Sequence, residues 1–277
     1  MKKKILYTIS TLLILIFTLG PILWCGIISM TGESEMLKNT ANILPSRLIL
    51  DNYMEIFDSS SKAHQVFLNG LYNSVKISVI TLIISLPMTV VTGYALCRYD
   101  FRGKKLLINF LLLTTVIPVF ATIIPVYNIF RNMDLLDSMF WTAIIYVSSI
   151  IPLNIWIVMN YFKQLPKELY HAASLDGFGE MDIFFKIILP ISKSTVLTVA
   201  LIMFLMSWKQ YVIPIILMSS YNNRTVTMVM SEFMTRYEIR YGIISACGIL
   251  SIIPPALCAV LFRKYLVENL TAGTVKQ

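Results

Sequence analysis

The sequence predicts an all-α polytopic membrane protein with six transmembrane helices and both termini in the cytoplasm. Three observations carry this. The 277 residues are 57% hydrophobic and only 14% charged, against about 25% charged in ordinary soluble domains. The mean hydropathy is +0.73. The apolar residues gather into six runs long enough to cross a bilayer, which takes roughly 20 residues per helix.

The runs extend over Ile5–Ser29, Ser74–Leu96, Leu106–Phe130, Met139–Phe162, Ser194–Ser219 and Ile243–Phe262. The first follows Lys2, Lys3 and Lys4, as a signal peptide would. Its apolar stretch is too long for one, and no small-residue cleavage site follows, so it reads as a retained anchor. Orientation follows from lysine and arginine. With the N-terminus inside, the inner segments hold fourteen of them and the outer segments seven. The densest inner cluster is Arg98, Arg102, Lys104 and Lys105. Residues 1–73 then form an anchor plus an outer segment, 74–265 a transmembrane core with an inner loop at 163–193, and 266–277 an inner tail.

The net charge of +8 could suggest nucleic-acid binding. The basic residues flank apolar runs and form no stripe, so they serve topology and no nucleic-acid partner is expected. Cys25, Cys97, Cys247 and Cys258 lie in or beside apolar runs without CxxC spacing, and His64 and His171 fall in separate loops. Neither a metal site nor a disulfide framework is expected.

The inner loop reads LPKELYHAASLDGFGEMDIFFKIILPISKS. Pro166 suits a first helical turn. Helix is favoured from Lys167 to Asp176, with Gly177 as the stop and Gly179 keeping the break flexible. A second helix is expected from Glu180 to Ile188, ended by Pro190. Glu168, Ala172 and Leu175 share one face of the first helix. That face suits either a gripping partner or the headgroup layer.

This loop resembles the EAA loop of bacterial ATP-binding-cassette importer permeases. Ala172 and Ala173 stand at the motif's alanines, Gly177 four positions on, and Ile187, Leu189 and Pro190 complete the distal part. Glu168 matches the lead-in, while His171 stands where the family usually has glutamate. Asn73-Ser74, the run Gly93-Tyr94-Ala95-Leu96 with Arg98, Phe101, Arg102 and Gly103, and the tail Leu270-Thr271-Ala272-Gly273 with Val275 and Lys276 resemble the maltose-type second-permease branch.

The resemblance implies a permease subunit paired with a second homologous permease, driven by two ATPase subunits and supplied by an extracellular solute-binding protein. It implies coupling to the ATPases through Glu168, Ala172, Ala173, Asp176, Gly177, Ile187, Leu189 and Pro190, and a carbohydrate cargo, with an oligosaccharide favoured. A non-sugar solute such as a glycerol phosphodiester is the alternative within the family. The chain has no phosphate-binding loop of its own and no cofactor is expected.

Lys209 is the charge deepest in an apolar run, within Trp208-Lys209-Gln210-Tyr211. Trp208, Lys209, Tyr211, Asn154 and Tyr127 are candidates for lining a cargo cavity. Lys209 reads equally as a lysine snorkelling to the interface. Prolines in every run can bend the helices around such a cavity. An intramembrane hydrolase would need paired catalytic groups at membrane depth, and the runs hold no Asp, Glu or His. A lone channel or secondary transporter would explain the spans but leave the loop unexplained.

Overall fold

A computed structural model describes residues 2–38, 44–234 and 239–272. Arg236 and the tail residues Gly273, Val275, Lys276 and Gln277 lie outside the described residues. The chain forms α1 (Lys2–Ser29), α2 (Glu33–Lys38), α3 (Asp51–Phe57), α4 (Lys62–Arg98), α5 (Lys104–Thr114), α6 (Val119–Asn132), α7 (Met139–Phe162) and α8 (Lys167–Leu175). There follow α9 (Glu180–Asp182), a π-helix (Ile183–Ile188), α10 (Leu189–Ile191), α11 (Lys193–Trp208), α12 (Val212–Leu217), a 3-10 turn (Tyr221–Asn223), α13 (Val226–Glu232) and α14 (Tyr241–Ala272). Among the described residues no strand forms beyond an isolated bridge between Met234 and Ile239.

Among the described residues, four helices are long and apolar enough to cross a membrane, or up to six spans if each of two bent helix pairs counts as one. These pairs correct the expected boundaries. The third run is not one straight helix, because α5 and α6 meet at 92°. Pro118, at φ −65° and ψ 137°, takes the extended N-cap position of α6. It has no N–H to carry the α5 ladder onward. The Thr114 and Thr115 hydroxyls donate to the Leu111 and Leu112 carbonyls and so satisfy the frayed end of α5.

The fifth run is divided as well. Its main helix is α11, which breaks at Lys209–Tyr211 before the short α12, and the helices leading into α11 bend by 77°. The second run reaches back to Lys62, so His64 sits in the first turn of a helix and not in a loop. The Ser61 hydroxyl caps that turn, accepting from the His64 N–H. His171 lies in α8, the helix expected within the inner loop. Helices pass through Pro21, Pro87, Pro125 and Pro152 without ending.

The chain divides into two compact units, Met1–Asn73 with Arg224–Pro254, and Ser74–Asn223 with Pro255–Gln277. In the first, the buried Asn52 amide donates to the Ser29 and Thr31 carbonyls at 3.0 and 3.2 Å. A Cβ on Gly242 would lie 2.4 Å from that amide, so glycine is required at this approach. Arg240 binds Glu55 through two 2.7 Å bonds. This holds the Glu55 carboxyl below its usual range. α1 leaves Leu6 through Trp24 largely exposed, as a helix facing hydrocarbon can.

The second unit packs α7 against α5, α11 and α12. Tyr146, Ile150, Val158 and Phe162 of α7 bury against Ile77, Val90 and Tyr94 of α4 and Val199 and Met203 of α11. α4 and α7 come very close at Gly93, where a Cβ would stand 2.8 Å from Val158. Ser78, Thr81, Ser85 and Thr89 of α4 are buried on one helical face, the small-residue packing that membrane helices use. At the α6–α7 turn, Asp137 accepts from Ser220 N and Asn223 Nδ2 and donates its own N–H to Leu217 O.

Candidate functional site: the helix between the fourth and fifth apolar runs

The site begins with a helix whose two ends are set by local chemistry. Pro166 is the N-cap of α8, one position ahead of the expected first turn. At the other end the Gly177 N–H donates to Ser174 O and the Phe178 N–H to Ala173 O. This is the Schellman arrangement, and it needs a left-handed residue at Gly177, whose φ is +83°. The expected stop at Gly177 is where the helix ends.

α8 presents two unlike faces. Tyr170 and Ala173 are buried. Glu168, His171, Ala172, Asp176 and Gly177 are exposed, and Leu175 is 89% exposed. The alanine pair is therefore split, Ala172 outward and Ala173 inward, because adjacent helical residues point about 100° apart.

The buried face is held by a clamp that sequence reasoning missed. Tyr170 stacks on Tyr94 at 6.4 Å, and Tyr94 also meets Phe184 at 4.7 Å and Phe162 at 5.8 Å. The Arg98 guanidinium lies 5.2 Å above the Tyr170 ring. It also donates to both Glu180 carboxylate oxygens, at 2.7 and 3.2 Å. Three parts of the chain (the end of α4, α8, and α9 with its π-helix) are thus fastened around one aromatic cluster. In the loop after α4, Lys104 binds Asp100 at 2.8 Å and holds that carboxyl below its usual range.

The second loop helix differs from expectation. Only α9 is α-helical before the π-helix begins at Ile183, and Pro190 does not end the pattern but lies inside α10. A π-turn widens the ladder by one residue and relieves the clash of the Pro190 ring with the carbonyl four residues back. The stop falls at Ser192, before the bend into α11. Ile187 and Leu189 are half-buried against the core, and Pro190 is exposed. Of the eight residues that the resemblance implied, Glu168, Ala172, Asp176, Gly177 and Pro190 face outward, while Ala173, Ile187 and Leu189 anchor the loop.

The cavity candidates lie in or at the ends of α6, α7, α11 and α12. Trp208 is buried with its ring 5.6 Å from Phe204. Lys209 is exposed at the C-cap of α11, and Tyr211 is the partly exposed N-cap of α12. Asn154 is buried in α7, its amide donating to Ile150 O at 2.8 Å and reaching Met206 Sδ at 3.6 Å. Tyr127 is half-buried against the core from α6. Among the described residues no three His, Cys, Asp or Glu side chains gather as metal ligands.

The permease of the arabinooligosaccharides transport system of Halalkalibacterium halodurans is 30% identical over 278 residues, covering 98% of this chain and 96% of that one. The trehalose/maltose transport system permease MalG of Thermococcus litoralis is 27% identical over 99% of this chain and 97% of its own. In fold, the chain is similar to a bacterial ABC transporter involved in the import of the acidic polysaccharide alginate. That match has a TM-score of 0.76 and 20% identity, and covers 95% of this chain and 97% of the other. The family profile described as "Binding-protein-dependent transport system inner membrane component" matches residues 85–271. This chain, a multi-pass membrane protein, belongs to that family.

Proposed function

We propose that the chain is the transmembrane permease subunit of an ATP-driven importer of a carbohydrate, most simply an oligosaccharide. It works beside a second homologous permease, two ATPase subunits and an extracellular solute-binding protein. The names of the two relatives, one for arabinooligosaccharides and one for trehalose and maltose, support the cargo class. The lysine and arginine asymmetry supports an orientation with both termini and the 163–193 loop in the cytoplasm.

The observation that carries the reading is the two-faced α8. Its outer face exposes Leu175 at 89%, with Met181 at 70% just beyond the Schellman turn. Its inner face is locked to α4 and the π-helix by the Tyr94, Tyr170 and Arg98 contacts. An exposed apolar knob on a rigid mount is what a separate motor needs in order to push a bundle. ATP-driven closure of the ATPases moves α8, the clamp passes that movement to α4 and the bent approach to α11, and access to the cavity alternates. Glu168, Ala172, Asp176, Gly177 and Pro190 face the ATPase in this reading, and Ala173, Ile187 and Leu189 brace the contact. Trp208, Lys209 and Tyr211 at the break between α11 and α12, with Asn154 of α7 and Tyr127 of α6, are the proposed cargo-side residues.

The test is co-purification and uptake. Leu175→Asp should release the ATPase subunits and lower oligosaccharide uptake more than tenfold, because it places a charge in the centre of the contact. Full ATPase retention and full uptake by that variant would remove α8 from the coupling role.

A further inference from the structure

Beside α8 lies a cavity of about 370 Å³ that shares Arg98 and Tyr170 with the clamp. This volume is within the range of small-ligand sites. Its charged lining is Arg98, Lys163 and Lys167, with Asp100 as the one acidic group and His171 beside them. Asp100 is engaged by Lys104 at 2.8 Å, and Arg98 by Glu180 at 2.7 Å. Lys163 and Lys167 stand on either side of the turn at Pro166 and form no ion pair among the described residues. Lys167 also lies near enough to Asp100 to lower that carboxyl, yet Arg98, Lys163 and Lys167 outnumber the one acid, so the lining keeps a cationic excess that an added anion offsets.

The remaining walls are apolar. Phe162 and Leu165 line the cavity together with the Tyr170 ring and Cys97. Arg98 and Phe162 are the last residues of α4 and α7. The cavity therefore opens where two apolar helices end, at the depth of lipid headgroups. A phosphate offsets the excess of basic side chains, and carbon attached to the phosphate meets the apolar wall.

We propose that this cavity binds a phosphate ester, carried either by the headgroup of an anionic phospholipid or by a small soluble phosphate. Lys163 and Lys167 supply the mobile charge. Arg98, its charge paired with Glu180 and its guanidinium over the Tyr170 ring, holds the wall in place. Occupancy ties the loop that carries α8 to the membrane surface. The chemistry of the site stands by itself, while its place at the inner leaflet rests on the orientation proposed above.

The test uses the full chain, purified and depleted of lipid, in a non-ionic detergent. Native mass spectrometry counts bound phosphatidylglycerol, phosphatidylcholine and glycerol 3-phosphate across a titration. The wild type should retain phosphatidylglycerol over phosphatidylcholine. K163Q with K167Q should weaken that binding about tenfold, and K163R with K167R should restore it. The pair R102Q with K105Q removes two charges just before and within the first turn of α5, outside the cavity lining, and should bind like the wild type. Phosphatidylglycerol binding that glycerol 3-phosphate does not displace identifies a lipid site. Glycerol 3-phosphate binding with the same lysine dependence identifies a soluble ligand. The proposal is overturned if neither ligand responds to K163Q with K167Q, or if the R102Q and K105Q pair weakens binding equally. It is also overturned if the cavity lysines affect only ATPase association. Lys167→Cys should react with a membrane-impermeant maleimide only from the cytoplasmic side. Reaction from outside would sink the orientation and leave phosphate binding standing.

Discussion

Gly177 shows how one residue controls a working surface. Its φ of +83° is left-handed, and a Cβ built there meets nothing within 4 Å. A side chain at this position is opposed by the backbone and not by crowding within the chain. A left-handed residue costs about 1–2 kcal/mol for an ordinary L-amino acid, and asparagine tolerates it best. Gly177→Val should therefore fray the end of α8 and lower uptake about tenfold while ATP hydrolysis continues, whereas Gly177→Asn should keep most uptake. Measuring both activities in the reconstituted complex checks this, and equal loss with Val and Asn would point to the docked partner instead of backbone strain. Glu55 gives a second residue-scale prediction. Its carboxyl sits below the ordinary value of 4.5 because Arg240 hydrogen-bonds to it. A depressed carboxyl contributes stability that is complete above the unfolded value and is lost as pH falls through the folded one. The pair is about one-third exposed on each side, so its contribution is on the order of 1 kcal/mol or less. Arg240→Gln should lower the unfolding temperature at pH 7, and the gap to the wild type should close as the pH falls below 4.5. A gap that persists undiminished in acid would refute the ion-pair account.

At the scale of elements, α8 divides labour between its faces, and stability separates the two. Leu175→Asp touches solvent only, so it should leave the unfolding temperature within the range of a neutral surface change, about 0.5 kcal/mol. Tyr170→Ala empties the stacked cluster with Tyr94 and should cost about 3 kcal/mol. Calorimetry of the purified chain distinguishes them, and equal destabilisation would mean that α8 has no free face. The same helix marks the limit of what the residues disclose on reading. Its start, its stop and its exposed stripe follow from Pro166, Gly177 and a 3.6-residue period, all of them local. The outward turn of Ala172 follows from its sharing a face with Glu168 and Leu175, but the burial of Ala173 against the core does not follow from spacing alone. The clamp was out of reach, since Arg98 and Glu180 are 82 positions apart and each reads alone as a charge at the edge of an apolar run. The breaks follow a similar rule. Prolines at 21, 87, 125 and 152 sit inside helices, yet Pro118 lies at the 92° bend. Only packing decides which proline a membrane helix absorbs and which one turns it.

For the whole molecule the open question is how many times the chain crosses the bilayer, because a pair bent by 92° fits either one broken span or a re-entrant loop. The basic residues discriminate between these. With six crossings, fourteen lysines and arginines lie inside and seven outside, with Lys76 and Lys209 set aside within spans. If α5 and α6 enter and leave on the same side, every later segment changes sides, and the split becomes eleven to ten. An even split gives the insertion machinery no reason to hold either orientation, whereas two to one does. The bent pair should therefore cross. It also follows that the loop at residues 131–138 and the Ser220–Asn223 turn share the outer face, in keeping with the Asp137 bonds that join them. Single cysteines at Ser60, Asp134, Leu175 and Asn222, each placed in a chain whose four free cysteines are replaced by alanine, test this. An impermeant maleimide applied to intact cells should label positions 60, 134 and 222 and spare 175, and inverted vesicles should reverse the pattern. Labelling of 175 in intact cells, with 134 protected, would establish the re-entrant arrangement. It would also put α8 on the face away from any ATPase, so the coupling role proposed for that helix would fall with the six-span topology.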